Sequence, residues 1–290
     1  MFLQIFNIIF PVIAIALIGF FYARGQKISM ETPNKMSLEL FIPIMIFFYL
    51  SEKLPSIHDI TTFSLGGVIV VFGSSVIIYP IIRLFGLNWR TFLPPMMFNN
   101  SINLGLPLAL FAFGQEAMSL AISLSIVQIV GQFTVGVVLY GGVFSVLGLV
   151  RSPVILATVF GLGFNYFGIH LPSILLVALE MMANVAIPMV IIALGARLVH
   201  IELRYWKIGL LGAVLCPLSG IAMALVATAV FDYTDLQVAL LILFGALPPA
   251  VLNAIMAERY NHDAVMVASV VAMGNLFSLV FIPLVLYFLL

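Results

Sequence analysis

A cluster of side chains suited to holding a polar ligand interrupts apolar sequence at Asn99-Asn100-Ser101-Ile102-Asn103-Leu104-Gly105-Leu106-Pro107. Pro107 lacks a backbone donor and clashes with the preceding turn, while Gly105 frees the chain to bend. A second interruption, Gly245-Ala246-Leu247-Pro248-Pro249-Ala250-Val251-Leu252-Asn253, has the same ingredients. A helix that begins inside an apolar medium presents unpaired N–H groups and a partial positive charge. Such an end favours an anion, carboxylate above all, with Asn and Ser side chains as further donors. Gln128 and Asn275, in neighbouring apolar stretches, could line the same cavity or act as packing glue between helices. No Arg or Lys falls near the middle of these stretches, which suits a small carboxylate better than a phosphorylated ligand. The bland alternative is a pair of kinked helices whose Asn side chains only bond to their neighbours.

Ionisable groups within apolar stretches are costly and usually functional. Two occur here, Glu39 and Glu180, and either could carry a coupling proton, since desolvation raises a carboxylate's pKa. Glu39 has a duller alternative, pairing with Lys35 one turn away. His58, His170, His200 and His262 all fall in loops or at helix ends, and no pair has metal-ligand spacing. No His-Glu-x-x-His motif, no nucleophile with a base and no paired aspartates argue for an enzyme. Neither a metal nor another cofactor is expected. Cys216 is the single cysteine and can form no internal disulfide.

The elements that must position these residues are membrane helices. Of 290 residues 64% are hydrophobic and 8% charged, with mean hydropathy +1.27, against about 25% charged in a soluble domain. A run of about 20 apolar residues crosses a bilayer as a helix, and barrel strands would be short and alternating. The runs predict spans at 3–23, 36–50, 62–82, 91–113, 117–140, 153–169, 172–196, 206–231, 235–257 and 264–289. The first run has no basic n-region and no cleavage pattern, so it reads as a span and not a signal peptide.

Loops after the odd-numbered spans hold Arg24, Lys27, Lys35, Arg83, Arg90, Arg151, Arg197, Arg204, Lys207 and Arg259, while the other side holds Lys53 alone. That asymmetry predicts a multi-pass protein of the cell (inner) membrane with both termini on the non-cytoplasmic side. A formal net charge of zero gives no basic surface for nucleic acid.

Two segment pairs suggest an internal repeat. Lys35–Ile46 resembles Glu180–Ile191 through a shared Ile-Pro, and Phe113–Ala117 resembles Tyr260–Ala264. Chance likeness between hydrophobic helices is the alternative. A repeat predicts an all-α integral membrane fold of ten transmembrane helices, as two inverted five-helix repeats (1–147 and 148–290) with broken, crossing helices 4 and 9. Inverted repeats with ligand bound at discontinuous helices mark secondary transporters.

The run Asn100–Leu108 followed by Phe113-Gly114 resembles the fourth-span signature of the auxin efflux carrier family, as does Pro248-Pro249 followed by Ala257-Glu258-Arg259-Tyr260 and, later, Pro283. Pro11 to Gly19, Arg24 and Asn34-Lys35 to Pro43 also look familial, so the resemblance spans the chain. It implies a scaffold domain from spans 1, 2, 6 and 7, and a transport domain from spans 3–5 and 8–10 whose crossing helices hold substrate. Members carry organic anions such as malate, malonate or indole acetate, and Asn100 is implied to meet the carboxylate. Many members have Pro before that Asn, where this chain has Asn99. The expected substrate site is thus Asn99, Asn100, Ser101, Asn103, Gly105, Pro107, Gln128, Pro248, Pro249, Asn253 and Asn275. The expected partners are a small organic anion and the lipid bilayer, with a homodimer through the scaffold domain left open. A sodium-coupled carrier of the related bile-acid symporter type, or a channel or sensor on the same fold, are the other readings.

Overall fold

The computed structural model describes residues 2–26, 31–54, 57–200 and 204–290. Lys27, counted above among the basic residues, lies outside them, as do the side chains of His58 and His200. The principal helices are α1 (Phe2–Gln26), α2 (Ile42–Glu52), α3 (Ile57–Leu84), α4 (Trp89–Met97), α5 (Leu106–Phe113) and α6 (Met118–Gly131). Then follow α7 (Pro153–Tyr166), α8 (Ser173–Arg197), α9 (Trp206–Val230), α10 (Asp235–Gly245), α11 (Leu252–Arg259) and α12 (Ala264–Leu289). Wide π-turns at Ser37–Phe41, Ser101–Gly105 and Gln132–Gly136 run into or out of neighbouring helices.

Local chemistry sets several helix ends. Asn88 accepts from the amide of Arg90 at the start of α4, and Asp263 accepts from that of Met266 at the start of α12. Thr234 and Gln237 form a reciprocal capping box at the start of α10. Gly114, at φ +79°, ends α5 in a conformation that glycine adopts without strain.

Among the described residues six helices are long and apolar enough to cross a membrane: Leu3–Gly25, Ile60–Leu84, Gln115–Leu139, Ser173–Arg197, Trp206–Val230 and Ala264–Leu289. This corrects the expectation of ten transmembrane helices in two inverted five-helix repeats. The remaining four stretches are short or interrupted. The stretch 36–50 is short, 91–113 breaks at Phe98–Asn100, and 235–257 divides into α10 and α11. Pro153–Tyr166 is a helix of 14 residues. Summed hydropathy counts apolar side chains and ignores whether the backbone between them stays helical. Tandem prolines at 94–95 and 248–249 remove donors near two of the breaks. The fold is therefore an all-α bundle in which shorter, interrupted helices pack among six continuous ones.

The break in the first cluster also falls earlier than Gly105 and Pro107 suggest. Ser101–Phe113 is one helical segment, with Pro107 in the first turn after the π-turn. A wider turn absorbs the missing proline N–H, so the ring does not stop the helix there.

Helices pack in two groups, each drawn from both halves of the chain. α1 lies along α8, and α2 lies against α7 and α8; α9 packs on α3, α10 and α12, with α4, α6 and α11 completing the second group. Glycines permit the tightest approaches. A Cβ at Gly195 would stand 1.8 Å from the carbonyl oxygen of Ala16, and one at Gly19 would stand 2.2 Å from that of Ile192. Along α1 the side chains of Leu3, Phe6, Phe10, Ile18 and Phe21 remain exposed. On a membrane-crossing helix these contact the lipid bilayer, where burial against protein is not required.

Candidate functional site

The two interruptions meet. After α4 the chain becomes extended at Phe98 and forms an isolated antiparallel bridge between Asn99 and Pro249. The amide of Asn100 donates to Pro248 O (2.7 Å), and the amide of Ala250 donates to Phe98 O (2.9 Å). Backbone that has left its helix inside a buried region must find other partners, and here each segment satisfies the other.

Side chains complete the junction. Asn99 Nδ2 donates to Phe244 O (2.6 Å), at the end of α10. Asn253 Nδ2 donates to Phe98 O (2.8 Å) and Ala250 O (3.0 Å). Thus Asn99 ties its own segment to the opposite one. Asn100 Nδ2 donates to Asn275 Oδ1 (3.0 Å), while Asn275 Nδ2 donates to Val271 O (2.8 Å) and Pro249 O (3.3 Å). The Tyr140 hydroxyl donates to Asn253 O (3.1 Å). Asn253→Leu would take one of two donors from each of Phe98 O and Ala250 O, which keep the amides of Ala250 and Asn253. It would also leave buried Gln132 Nε2 without its acceptor, at about 1–3 kcal/mol for the unsatisfied group. A marked fall in thermal midpoint in detergent is the expected result, and an unchanged midpoint would count against this role.

Beside the junction lies a cavity of about 250 Å³. It is lined by Asn99, Asn100, Ser101, Asn103 and Gln128 of the expected site residues, together with Glu39. The start of each resumed helix reaches it, through Ser101–Asn103 and Ala250–Leu252. Leu104 and Gly105 are the first amides to bond back, both to Asn100 O at 3.1 Å, so Ser101, Ile102 and Asn103 N–H have no backbone acceptor. These free amides and the helix dipole favour negative charge at that wall.

Other expected site residues lie elsewhere. Pro248, Pro249 and Asn253 form the junction behind the cavity, and Asn275 also lines a second cavity of about 430 Å³. Gly105 packs toward Leu247, and Pro107 is buried within the helix beyond. Glu180 is exposed on α8 and lines neither cavity.

Two residues of this wall are absent from the sequence-based site. Gln132 takes a hydrogen bond from Gln128 (3.0 Å) and gives one to Asn253 Oδ1 (3.2 Å); its i,i+4 spacing from Gln128 was the available signal. Arg197, the last residue of α8, is half-buried and lines both cavities. A basic residue at a helix end reads in sequence as a loop charge, yet its long stem lets the guanidinium lie along apolar wall. The expectation of a site without a full positive charge is thereby corrected. Arg197 has no ion-pair partner among the described residues.

At the other end of the bundle, the Tyr49 hydroxyl donates to Gln115 Oε1, and Ser119 Oγ donates to Lys53 O (3.0 Å). These bonds join the end of α2 to the start of α6.

The sequence pattern of the family described as membrane transport protein matches residues 137–286, just over half of the chain. An uncharacterized transporter of Methanocaldococcus jannaschii is 21% identical over 306 residues, covering 96% of each chain. Interrupted helices, a polar cavity at their junction and that match agree on transport across a membrane, not enzymatic catalysis. The chain belongs to the membrane transport protein family, within the auxin efflux carrier superfamily.

Proposed function

We propose that this protein is a secondary transporter of small organic anions, working by alternating access at the cavity beside the helix junction. The observation that carries this reading is the meeting, in one cavity, of two helix starts with unbonded amides and the unpaired guanidinium of Arg197. A carboxylate answers both, and the volume of about 250 Å³ suits a small acid.

In this reading α1, α2, α7 and α8 form a scaffold, through which a homodimer would assemble, and the remaining helices move against it. The cavity adjoins Ser37, Ser152 and Arg197, close in sequence to Lys35 and Arg151. By the preference of basic residues for the cytoplasmic side of the cell membrane, the cavity faces inward and the termini lie outside. The bonds of Tyr49 and Ser119 then close the outer route. Glu39, which lines the cavity, is the group for proton coupling; Glu180 is not placed for it.

The test is uptake of radiolabelled mono- and dicarboxylates into proteoliposomes, under imposed proton or sodium gradients. The expected result is carboxylate flux that Asn100→Ala diminishes. If no carboxylate moves under any gradient, the proposal fails.

A further inference from the structure

Donors and acceptors are unevenly supplied around the cavity. Asn253 Nδ2 is anchored on two backbone carbonyls, so its Oδ1 must face Gln132. Gln132 then turns Nε2 toward Asn253 and Oε1 toward Gln128, which spends its own Nε2 on that bond. Reversing any amide in the chain would set oxygen against oxygen, so the orientation follows from the carbonyl anchors. The relay ends on Gln128 Oε1, buried with no hydrogen-bond partner. Asn99 repeats the pattern: Nδ2 is committed to Phe244 O and Oδ1 is left unpartnered. Ser101 Oγ is likewise buried and unpartnered. These three side chains are 5%, 3% and 2% exposed for Asn99, Gln128 and Ser101, and all three line the same cavity.

Buried acceptors without donors are costly, and a native site that keeps them calls for a donor, which water supplies between transport cycles and a bound ligand can supply in its place. A plain carboxylate brings only acceptors. It can satisfy Arg197 and the free amides, but it leaves Asn99 Oδ1 and Gln128 Oε1 facing nothing. A bare cation would meet these oxygens, and Glu39 on the cavity wall would favour it, but Arg197 and the positive ends of two helices oppose it.

Resting on the transport reading above, we propose that the cavity selects hydroxycarboxylates over the same acids without the hydroxyl. The carboxylate is held by Arg197 and the free amides of the resumed helices. The hydroxyl donates to Asn99 Oδ1 or Gln128 Oε1, and Ser101 Oγ can donate back to it.

Matched pairs test this in proteoliposomes carrying the full chain: glycolate with acetate, lactate with propionate, and malate with succinate. The hydroxy member of a pair is expected to be taken up at about tenfold lower concentration or better, the yield of one buried neutral hydrogen bond over an orphaned acceptor. Within a single Gln128→Met preparation the ratio is expected to fall toward one; because it is a ratio, it is independent of how much protein folds. Should that variant give no flux, Ser101→Ala supplies the same comparison, and the wild-type ratio already decides the selectivity. Equal uptake within every pair overturns the inference while leaving anion transport standing. Equal uptake together with an absolute need for sodium overturns it in favour of a cation at these oxygens. No uptake of any acid overturns the transport reading and this inference with it.

Discussion

Arg197→Gln is expected to raise the concentration of carboxylate needed for half-maximal uptake by about 10- to 100-fold, the range set by losing one charge-assisted hydrogen bond of roughly 1.5–3 kcal/mol. The substitution keeps the first three carbons of the stem and a polar end while removing the charge. Arg197 ends α8 and has no ion-pair partner among the described residues, so no internal carboxylate is left unpaired by the change. That separates a role in binding from one in stability. Arg197→Lys, which retains the charge without the planar fork, should recover part of the affinity. If Arg197→Gln transported with unchanged affinity, the charge at the cavity would have no part in holding substrate.

Gly245→Ala is expected to lower stability sharply, because the added methyl group meets backbone of the neighbouring helix. A Cβ there would stand 2.5 Å from the carbonyl carbon and oxygen of Gly220, and the reciprocal Cβ at Gly220 would stand 2.1 Å from Gly245 O. Both obstacles are backbone, which cannot rotate aside as a side chain does, so α9 and α10 must separate. Overpacking of this kind costs about 1–3 kcal/mol and sometimes more, which corresponds to a fall of about 3–10 °C in thermal midpoint. Function should suffer too, because Phe244 O, the acceptor for Asn99, is the neighbouring carbonyl. Cys216 is a built-in reporter: it is buried, it is the chain's single cysteine, and its Sγ lies 3.6 Å from Leu247 O. A thiol-reactive dye should therefore label the variant at a lower temperature than the parent. Gly163→Ala, where a Cβ meets nothing within 4 Å, is the control and should leave the midpoint in place.

Residues at the junction illustrate how much was legible beforehand. Asn99, Asn100 and Ser101 stand out because polar side chains are rare in an apolar run, and all three line the cavity. Pro107 drew attention for the same kind of reason and misled, since the π-turn at Ser101–Gly105 carries the helix through it. The count of ten spans failed likewise, because hydropathy is a property of composition and helix continuity is a property of hydrogen bonding. Arg197 was overlooked because sequence position places it at a helix end, while in the fold the residue lines the cavity.

By itself the amino-acid sequence determined the solvent this protein lives in, the two places where its helices give way, and the polar residues gathered there. These are local properties, set by side-chain transfer energies and by the donors that proline withholds. Tertiary structure alone decided that the two breaks satisfy one another, that Arg197 enters the cavity, and which way each amide points. The clustered Asn and Ser residues suggested donors for a carboxylate. Backbone carbonyls from distant segments, Phe98 O and Phe244 O, claim the donors of Asn253 and Asn99 instead, and Asn99 Oδ1 and, at the end of the relay, Gln128 Oε1 are left without a partner. A side-chain amide has both a donor and an acceptor end, and only the partner across the fold determines which one remains free.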